Sequence, residues 1–560
     1  MKKKMPALVP AEDTTVDLLV VGSGTGMAAA LAAHERGLST LVVEKTGYVG
    51  GSTARSGGAF WIPGNAALPD RSVADAGTYL NAVVGDSAPA ERGRAYLEHG
   101  AAAVDMLRRT TPMRFFWAKG YSDYHPEEPG GRAEGRTCEC RPFNASVLGD
   151  ERPRLRPGVM EAPVPMPVTG ADYKWMNLVA RKPLKALPRI FARAALGIGG
   201  MLIGRDYLAG GQALAAGMFA GVLRAGIPVW TETALVRLLR DGDRVTGAVL
   251  RQGDREVTVQ ARRGVVLAAG GFDHDVEARH KFQSPRLGDY SLGSEGNTGD
   301  GILAGQELGA GTALLDQAWW FPAFAPVPGG SPAVMLAERS LPGSFIVDQT
   351  GKRFINEATD YMSFGQEILA RDRAGTPVEE MWLVFDQRYR DSYILAGRCF
   401  PRQPLPESWY RAGIAHKSDD LGALARAIGV PAGSFQDTFQ QFNTLATAGR
   451  DTAFGRGDSA YDRYYGDPTI APNPNLAPLR RAPYYAVKVV LSDLGTCGGL
   501  VADEHARVLR EDGTVVEGLY AIGNTAANAF GASYPGAGAT IGQGVVYGYI
   551  AALHAAGASS

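Results

Sequence analysis

The sequence has few cysteines, almost no net charge and no long apolar run. Its 560 residues include four cysteines and carry a formal net charge of −1. The cysteine spacing suits neither a disulfide framework nor a zinc site, so we expect free thiols in a reducing, cytoplasmic compartment and no bound metal. A net charge this close to zero gives no electrostatic reason to expect nucleic acid as a partner. The sequence has no stretch of about 18 apolar residues, so we expect no membrane span. The N-terminal lysines are not followed by the apolar segment of a secretory signal.

Glycine, in contrast, is abundant. There are 72 glycines, while 45% of the residues are hydrophobic and 21% are charged. These proportions are typical of a folded globular protein, and the length predicts two or three domains. The glycines occur in clusters, each placed at the end of a short apolar run.

The first cluster predicts a dinucleotide-binding βαβ unit. Residues 16–21 form an apolar run typical of a buried parallel strand, the glycine-rich turn 22–26 follows, and an alanine-rich helix covers 28–36. The next strand, 38–43, ends at Glu44. Glycines bring the backbone close to a pyrophosphate at the helix N-terminus, and the acidic residue accepts hydrogen bonds from ribose hydroxyls.

One position departs from the usual motif. The third glycine is expected at position 27, where this chain has Met27, and Gly26 stands one residue early. Close packing of the helix on the strand must therefore be achieved in another way.

Further glycine-rich segments favour FAD over NAD. A second loop covers 45–58, and apolar strands run into glycines at 265–272 and 518–524, before a glycine-rich helix start at 538–544. Small residues let backbone amides approach a large isoalloxazine ring. The predicted cofactor-binding residues are Gly22, Ser23, Gly24, Gly26, Met27, Glu44, Lys45, Gly50, Gly51, Ser52, Thr53, Ser56, Gly57, Gly58, Ala269, Gly270, Gly523, Asn524, Ala539 and Ile541.

These segments lie at both ends of the chain, which predicts an α/β architecture. We expect a Rossmann-like FAD-binding domain built from residues 1–276 and 484–560. An α+β catalytic, or cap, domain is inserted between them at 277–483. Residues of about 165–208 form a further insertion within the first part.

Several motifs resemble one flavoprotein superfamily along essentially the whole chain. They are the segments 50–53 with 56–58, 316–320, 353–357, 492–496 and 534–538. In them the chain resembles the fumarate reductase/succinate dehydrogenase flavoproteins, and most closely the bacterial 3-ketosteroid Δ1-dehydrogenases. The superfamily's covalent members attach FAD to a histidine that the loop 50–58 lacks, so the resemblance implies non-covalent FAD.

Two positions distinguish the chain from fumarate reductases. The proton-delivering arginine of those enzymes falls, in an ungapped alignment, on Tyr361. Their substrate-binding histidine precedes a Thr-x-Gly-Gly element, which is 496–499 here, yet Asp493 and no histidine precedes it. The resemblance therefore implies a neutral ketone as substrate in place of a dicarboxylate.

The resemblance also implies a mechanism, as in steroid degradation. Tyr534 and the Gly538 backbone N–H donate hydrogen bonds to the C3 carbonyl, Tyr361 removes the C2 proton, and the C1 hydride passes to flavin N5. An external electron acceptor such as a quinone then reoxidises the flavin. A 4(5)-dehydrogenase, another flavin enone reductase and a non-catalytic flavoprotein stay open as alternatives.

The family has an auxiliary active-site tyrosine in its N-terminal part. Tyr121 and Tyr124 are the candidates here, and Phe116 is a third occupant of the position. Tyr121 is the favoured choice.

The stretch from Trp175 to Gly204 interleaves basic and apolar residues. Such a pattern is typical of a peripheral membrane helix, which would place the protein at the inner face of the cell membrane. An ordinary surface helix followed by a flexible hairpin explains the pattern equally well.

Overall fold

A computed structural model describes residues 5–159 and 164–557. Its largest sheet has a parallel centre built from both chain ends, with the antiparallel strands Thr233–Asp241 and Arg244–Gln252 added at one side. The strand order of the main path is Arg507–Leu509, Val515–Ala521, Arg255–Leu267, Thr14–Val21, Thr40–Val43 and Val229–Trp230. This confirms the predicted α/β fold with a Rossmann-like sheet completed by the C-terminal residues.

The first glycine turn has a steric basis. Gly22 has φ +109°, and a Cβ there would lie 2.1 Å from the Ala268 carbonyl oxygen. A Cβ at Gly26 would lie 2.9 Å from Cγ1 of Val20. Gly26 thus provides the close helix–strand packing that the motif assigns to the next position, and Met27 is fully buried in the core behind the turn.

The middle of the chain forms an antiparallel sheet of six strands. These are Ala318–Phe324, Ala333–Val334, Ser344–Asp348, Met381–Asp386, Ala415–Ser418 and Tyr484–Thr496. The last strand pairs with three others of this sheet. The predicted boundary of the middle domain lies at position 483. The sheet continues past it, because the strand Tyr484–Thr496 pairs with this sheet before the chain returns to the first one.

Short strands and helices complete the fold. The small sheets pair Ala59–Trp61 and Phe115–Trp117 with Thr137–Cys140, Phe143–Asn144 with Tyr207–Leu208, and Thr312–Ala313 with Gly499–Leu500. The α-helices are Gly26–Glu35, Gly51–Arg55, Ala74–Val84, Ala90–Thr110, Gly170–Met176, Pro183–Leu202, Gly210–Arg224, Val276–Phe282, Asp300–Gln306, Tyr361–Arg373, Gln387–Ser392, Glu407–Arg411, Leu421–Ala427, Ala432–Ala448, Ala460–Tyr464 and Ala539–Ala555.

The basic and apolar stretch contains one long helix, Pro183–Leu202. The alternative of a surface helix followed by a flexible hairpin places the glycines at 197, 199 and 200 outside the helix, whereas in the structure they are helical. Gly197 packs on the Pro165 carbonyl so closely that a Cβ would lie 1.8 Å from its oxygen. No helix in the described ranges has the length and apolar character needed to cross a bilayer.

Candidate active site

One large cavity of about 1000 Å³ connects the first glycine turn with the antiparallel sheet. Both chain ends and the middle of the chain line it. A volume of this size is typical of cofactor and substrate pockets, which lie at the carboxyl ends of parallel strands in such folds.

Sixteen of the predicted cofactor-binding residues line this cavity. They are Gly22, Ser23, Gly24, Glu44, Lys45, Gly51, Ser52, Thr53, Ser56, Gly57, Gly58, Ala269, Gly270, Gly523, Asn524 and Ile541. Gly26, Met27, Gly50 and Ala539 do not appear in its lining. They lie behind it: a Cβ at Gly50 would press on Ala54 and Ala215, and Ala539 is buried at the start of the C-terminal helix.

Glu44 is held rigidly at one end of the cavity. One carboxylate oxygen accepts from the Ser23 hydroxyl at 2.6 Å, and the other accepts from the Thr46 backbone and hydroxyl. Its neighbour Lys45 makes an ion pair with Asp300 at 2.9 Å. A fixed carboxylate at the end of the second strand is the feature that recognises a ribose.

The lining residues fit FAD along the length of the cavity. The glycine turn and Gly51 leave backbone exposed, and the Ser52 hydroxyl accepts from the Asn297 amide and the Ser294 backbone. The helices that begin at Gly26 and at Ala539 have their N-termini beside the cavity, where Thr25 and Gly538 line it. A helix N-terminus favours negative charge. The donor set therefore suits a pyrophosphate at one end and a flavin ring toward the other.

Tyr361 lies in the cavity as the first residue of the helix Tyr361–Arg373, which Asp360 caps through its side chain. Burial raises the pKa of Tyr361 above its usual value, while the Arg339 guanidinium lowers it. No described residue forms a hydrogen bond of standard length and angle with its hydroxyl. The neighbouring hydroxyls of Tyr121 and Tyr461 also lower the pKa of Tyr361.

Tyr534 and Gly538 lie next to each other in the cavity lining. Burial raises the pKa of Tyr534 to about 12, although the Thr540 hydroxyl and the Gly538 backbone donate toward its oxygen and oppose that shift. Tyr534 therefore stays a neutral phenol at physiological pH. A neutral hydroxyl and a backbone N–H are suitable donors to one carbonyl oxygen.

The structure separates the three candidates for the auxiliary position. Tyr121 and Tyr124 both line the cavity, whereas Phe116 does not and instead packs against Arg141. The Tyr124 ring stacks on Tyr534 with a centroid distance of 4.9 Å. The Tyr121 hydroxyl lowers the pKa of Tyr361, and the Tyr124 ring contacts Tyr361 edge-on with a centroid distance of 5.7 Å, so both candidates adjoin Tyr361 and the choice of Tyr121 stays a prediction.

Several site residues carry no signal in the sequence. Glu139 lines the cavity, and burial raises its pKa to about 7. Tyr461, Tyr464 and Tyr465 pack around Tyr121 and Tyr124 from a helix far along the chain. Only the folded chain brings these separate segments together, so spacing in the sequence does not reveal them.

Asp493, which stands in place of the fumarate reductase histidine, does not line the cavity. It is buried and pairs with Arg279 at 2.8 Å, while the next residue, Leu494, faces the cavity. Of the aromatic residues 319–324, Phe321 alone is part of the lining; Trp319 supports Tyr534 and Asn524 from behind.

Comparisons with known proteins agree with this geometry. A family model described as "FAD binding domain" matches residues 17–541. The 3-oxosteroid 1-dehydrogenase of Mycobacterium tuberculosis is 44% identical, over 96% of this chain and 98% of the relative. The 4-oxocyclohex-2-ene-1-carboxylate 5-dehydrogenase of Sinomonas cyclohexanicum is 37% identical, over 95% and 92%.

A solved structure is similar over nearly the whole chain. It is the crystal structure of 3-ketosteroid Δ1-dehydrogenase from Sterolibacterium denitrificans in complex with 1,4-androstadiene-3,17-dione. The TM-score is 0.91 at 37% identity, with 97% of this chain and 99% of the other covered. The predicted family and cofactor are thereby confirmed: the chain belongs to the FAD-binding family that the matching model describes.

Proposed function

We propose that the protein is an FAD-dependent 3-oxosteroid 1-dehydrogenase that desaturates the C1–C2 bond of ring A. The observation that carries the proposal is the juxtaposition of Tyr361 with the donor pair of Tyr534 and Gly538 in one apolar cavity. The Mycobacterium tuberculosis and Sterolibacterium denitrificans proteins, to which this chain is similar, carry that activity in their names.

The residues divide the work in the following way. Tyr534 and the Gly538 N–H donate hydrogen bonds to the C3 carbonyl oxygen and stabilise the negative charge that develops there. Tyr361, as a phenolate, accepts the proton from C2. Non-covalently bound FAD supplies the acceptor of the C1 hydride, and an external oxidant of the quinone class restores it for the next turnover.

Charge in the lining supports a neutral, apolar substrate. The cations among the described lining residues are Lys45, Arg55 and Arg398. Lys45 pairs with Asp300 at the ribose end, Arg55 donates to a backbone carbonyl, and Arg398 is exposed. The rings of Tyr124 and Phe321 instead contact Tyr361, which suits a flat hydrophobic ring system as substrate.

A substrate comparison tests this choice. The FAD-loaded protein is incubated with a 3-ketosteroid or with 4-oxocyclohexanecarboxylate and an artificial electron acceptor, and the products are separated. We expect the 1,4-dien-3-one from the steroid and a kcat/KM at least a hundredfold lower with the carboxylate. Absence of the 1,4-dien-3-one when the steroid supplied is a 4-en-3-one, or preference for the carboxylate, would contradict the proposal.

We further propose that the helix Pro183–Leu202 contacts the membrane surface. Its exposed side includes Leu184, Phe191 and Leu202, which are 90%, 68% and 83% exposed. The basic residues on the same helix are partly engaged, since Arg193 pairs with Asp172. Gly197 packs on Pro165, which is adjacent to the cavity-lining Met166, so this helix lies beside the cavity wall.

Sedimentation with anionic liposomes tests this contact. Phe191→Glu combined with Leu202→Glu should abolish co-sedimentation and leave steroid turnover in detergent unchanged. Leu303→Glu, at a residue 56% exposed on another helix, is the matched control and should bind as the wild type does. Equal sedimentation of all three proteins would refute the membrane contact.

A further inference from the structure

A buried guanidinium lies beside the ring of Tyr361. Arg339 is 1% exposed, and its Cζ lies 5.0 Å from the ring centroid of Tyr361. Its Nη1 donates to the carbonyls of Glu357, at 2.6 Å, and of Thr359. Those carbonyls belong to the segment that leads directly into the helix beginning at Tyr361, so one short stretch of chain positions both the cation and the phenol.

Arg339 forms no ion pair with a carboxylate of the described residues, although the charge of Asp462 is near enough to interact with it. None of the ion pairs in the described ranges includes it, whereas the buried Arg353 and Arg456 both pair with Glu357. The adjacent Glu338 has its carboxylate near Tyr173 and the Ala396 N–H, and burial raises its pKa to about 7. A buried guanidinium bound only to neutral carbonyls is costly unless another anion faces it.

A second arginine–tyrosine pair shows what is special about this one. Arg92 lies over Tyr547 with 4.7 Å between Cζ and the ring centroid, and it too is buried. The Tyr547 hydroxyl, however, donates to the Arg92 carbonyl at 2.7 Å, which fixes it as a neutral phenol. The Tyr361 hydroxyl is equally buried and donates to no acceptor of the described residues at standard geometry.

Burial disfavours the Tyr361 phenolate, and the positive charge of the adjacent guanidinium offsets part of that cost. Tyr361 also lines the cavity, whereas Tyr547 does not. We infer that Arg339 is the counter-ion that positions and stabilises the Tyr361 phenolate, a role that rests on the proposed function of Tyr361 as the base.

The step is balanced without any further reactant. The C2–H bond breaks, its proton forms the O–H bond of Tyr361, and its electron pair remains in the substrate. Arg339 keeps its own proton throughout and changes only the electrostatic cost of the phenolate. The other groups that face Tyr361 are Glu338, Tyr121, Tyr124, Tyr173, Tyr461, Tyr464, Tyr465 and Tyr534.

The test is an ultraviolet titration of the FAD-loaded protein in which the spectrum of Tyr361→Phe is subtracted to isolate the Tyr361 phenolate. Arg339→Gln should shift this titration, and the pH profile of kcat, upward by about one to two pH units. Arg339→Lys keeps the positive charge, so both of its curves should remain close to those of the wild type. Arg92→Gln, the matched control, should leave both curves in place.

Unshifted curves in Arg339→Gln would overturn the assignment. If Arg339→Gln does not fold, Arg339→Met is the second neutral variant: an upward shift supports the role, and an unchanged curve refutes it. The titration requires no steroid. A wild-type protein that shows the phenolate titration but no steroid turnover would therefore refute the proposed substrate and leave the role of Arg339 standing.

Discussion

At the scale of single residues, the proposed function gives two tyrosines of one cavity different tasks. Burial raises the pKa of both, yet Tyr534 is held by donors and has a pKa of about 12, while Tyr361 faces a guanidinium. Environment therefore separates a hydrogen-bond donor from a base, although both side chains are the same.

Removing each hydroxyl tests this division. Tyr361→Phe should reduce kcat by about 10²- to 10⁴-fold, and Tyr534→Phe by about 10²- to 10³-fold, because one loses the base and the other a donor to the developing enolate. Both variants should retain FAD, as measured by the flavin absorbance after gel filtration. Tyr520→Phe, whose hydroxyl contacts His554 away from the cavity, is the control. Near-normal turnover in both active-site variants would favour a non-catalytic flavoprotein.

The pH dependence of kcat follows from the raised pKa of Tyr361. The phenolate is the minor form below that pKa, so its fraction grows with pH, by at most about tenfold per unit. We expect kcat to rise steadily from neutral into alkaline solution until the protein unfolds. A maximum below neutrality would show that another group accepts the proton.

At the scale of elements, the C-terminal helix holds a donor of the site at its start. Gly538 has φ +86°, and a Cβ there would lie 2.1 Å from the Ala59 carbonyl oxygen. The backbone N–H of Gly538, which we propose as a donor to the substrate, is therefore fixed between this helix and the strand Ala59–Trp61. Any side chain at this position must displace one of the two elements.

Gly538→Ala should consequently impair the site as well as the fold. We expect kcat/KM to fall at least tenfold and the melting temperature to drop by several degrees. Gly513→Ala, which has φ +82° and nothing within 4 Å of its added Cβ, is matched for backbone strain alone. It should lose about 1–2 kcal/mol of stability and keep its activity. Equal activity loss in both variants would mean that the close contact at Gly538 is unimportant.

Some elements of the fold could be predicted from the sequence and others could not. The βαβ unit, the glycine loop and the C-terminal return were predictable, because each follows from apolar runs punctuated by glycine. The role of Gly26 and the strand Tyr484–Thr496 were not, since both depend on which neighbour an element packs against. Arg339 and Glu139 were not predictable either, because the segments around them contain no local motif.

At the scale of the whole molecule, two buried carboxyls link folding to pH. Burial raises the pKa of Glu139 and of Glu338 from 4.5 to about 7. The folded state therefore holds these protons more tightly than the unfolded state does. The resulting stabilisation is complete below about pH 4.5 and is lost as the pH rises through 7.

Glu338→Gln should flatten this dependence, because the amide cannot ionise. Each shift corresponds to a free-energy change on the order of 3 kcal/mol between pH 4.5 and 8. Urea unfolding at several pH values measures it, with Glu367→Gln, on the surface-facing side of the helix Tyr361–Arg373, as the control. The same loss of stability with rising pH in Glu338→Gln as in the wild type would exclude this carboxyl as a cause.

The most direct measurement of the central claim uses a 3-ketosteroid that carries deuterium at C1 and C2. The FAD-loaded protein is supplied with an artificial acceptor, and the product is analysed by mass spectrometry and nuclear magnetic resonance. Proton transfer to Tyr361 and hydride transfer to FAD predict the loss of one deuterium from each of these two carbons. A desaturated product that retains both labels, with hydrogen lost from C4 and C5, would contradict the account.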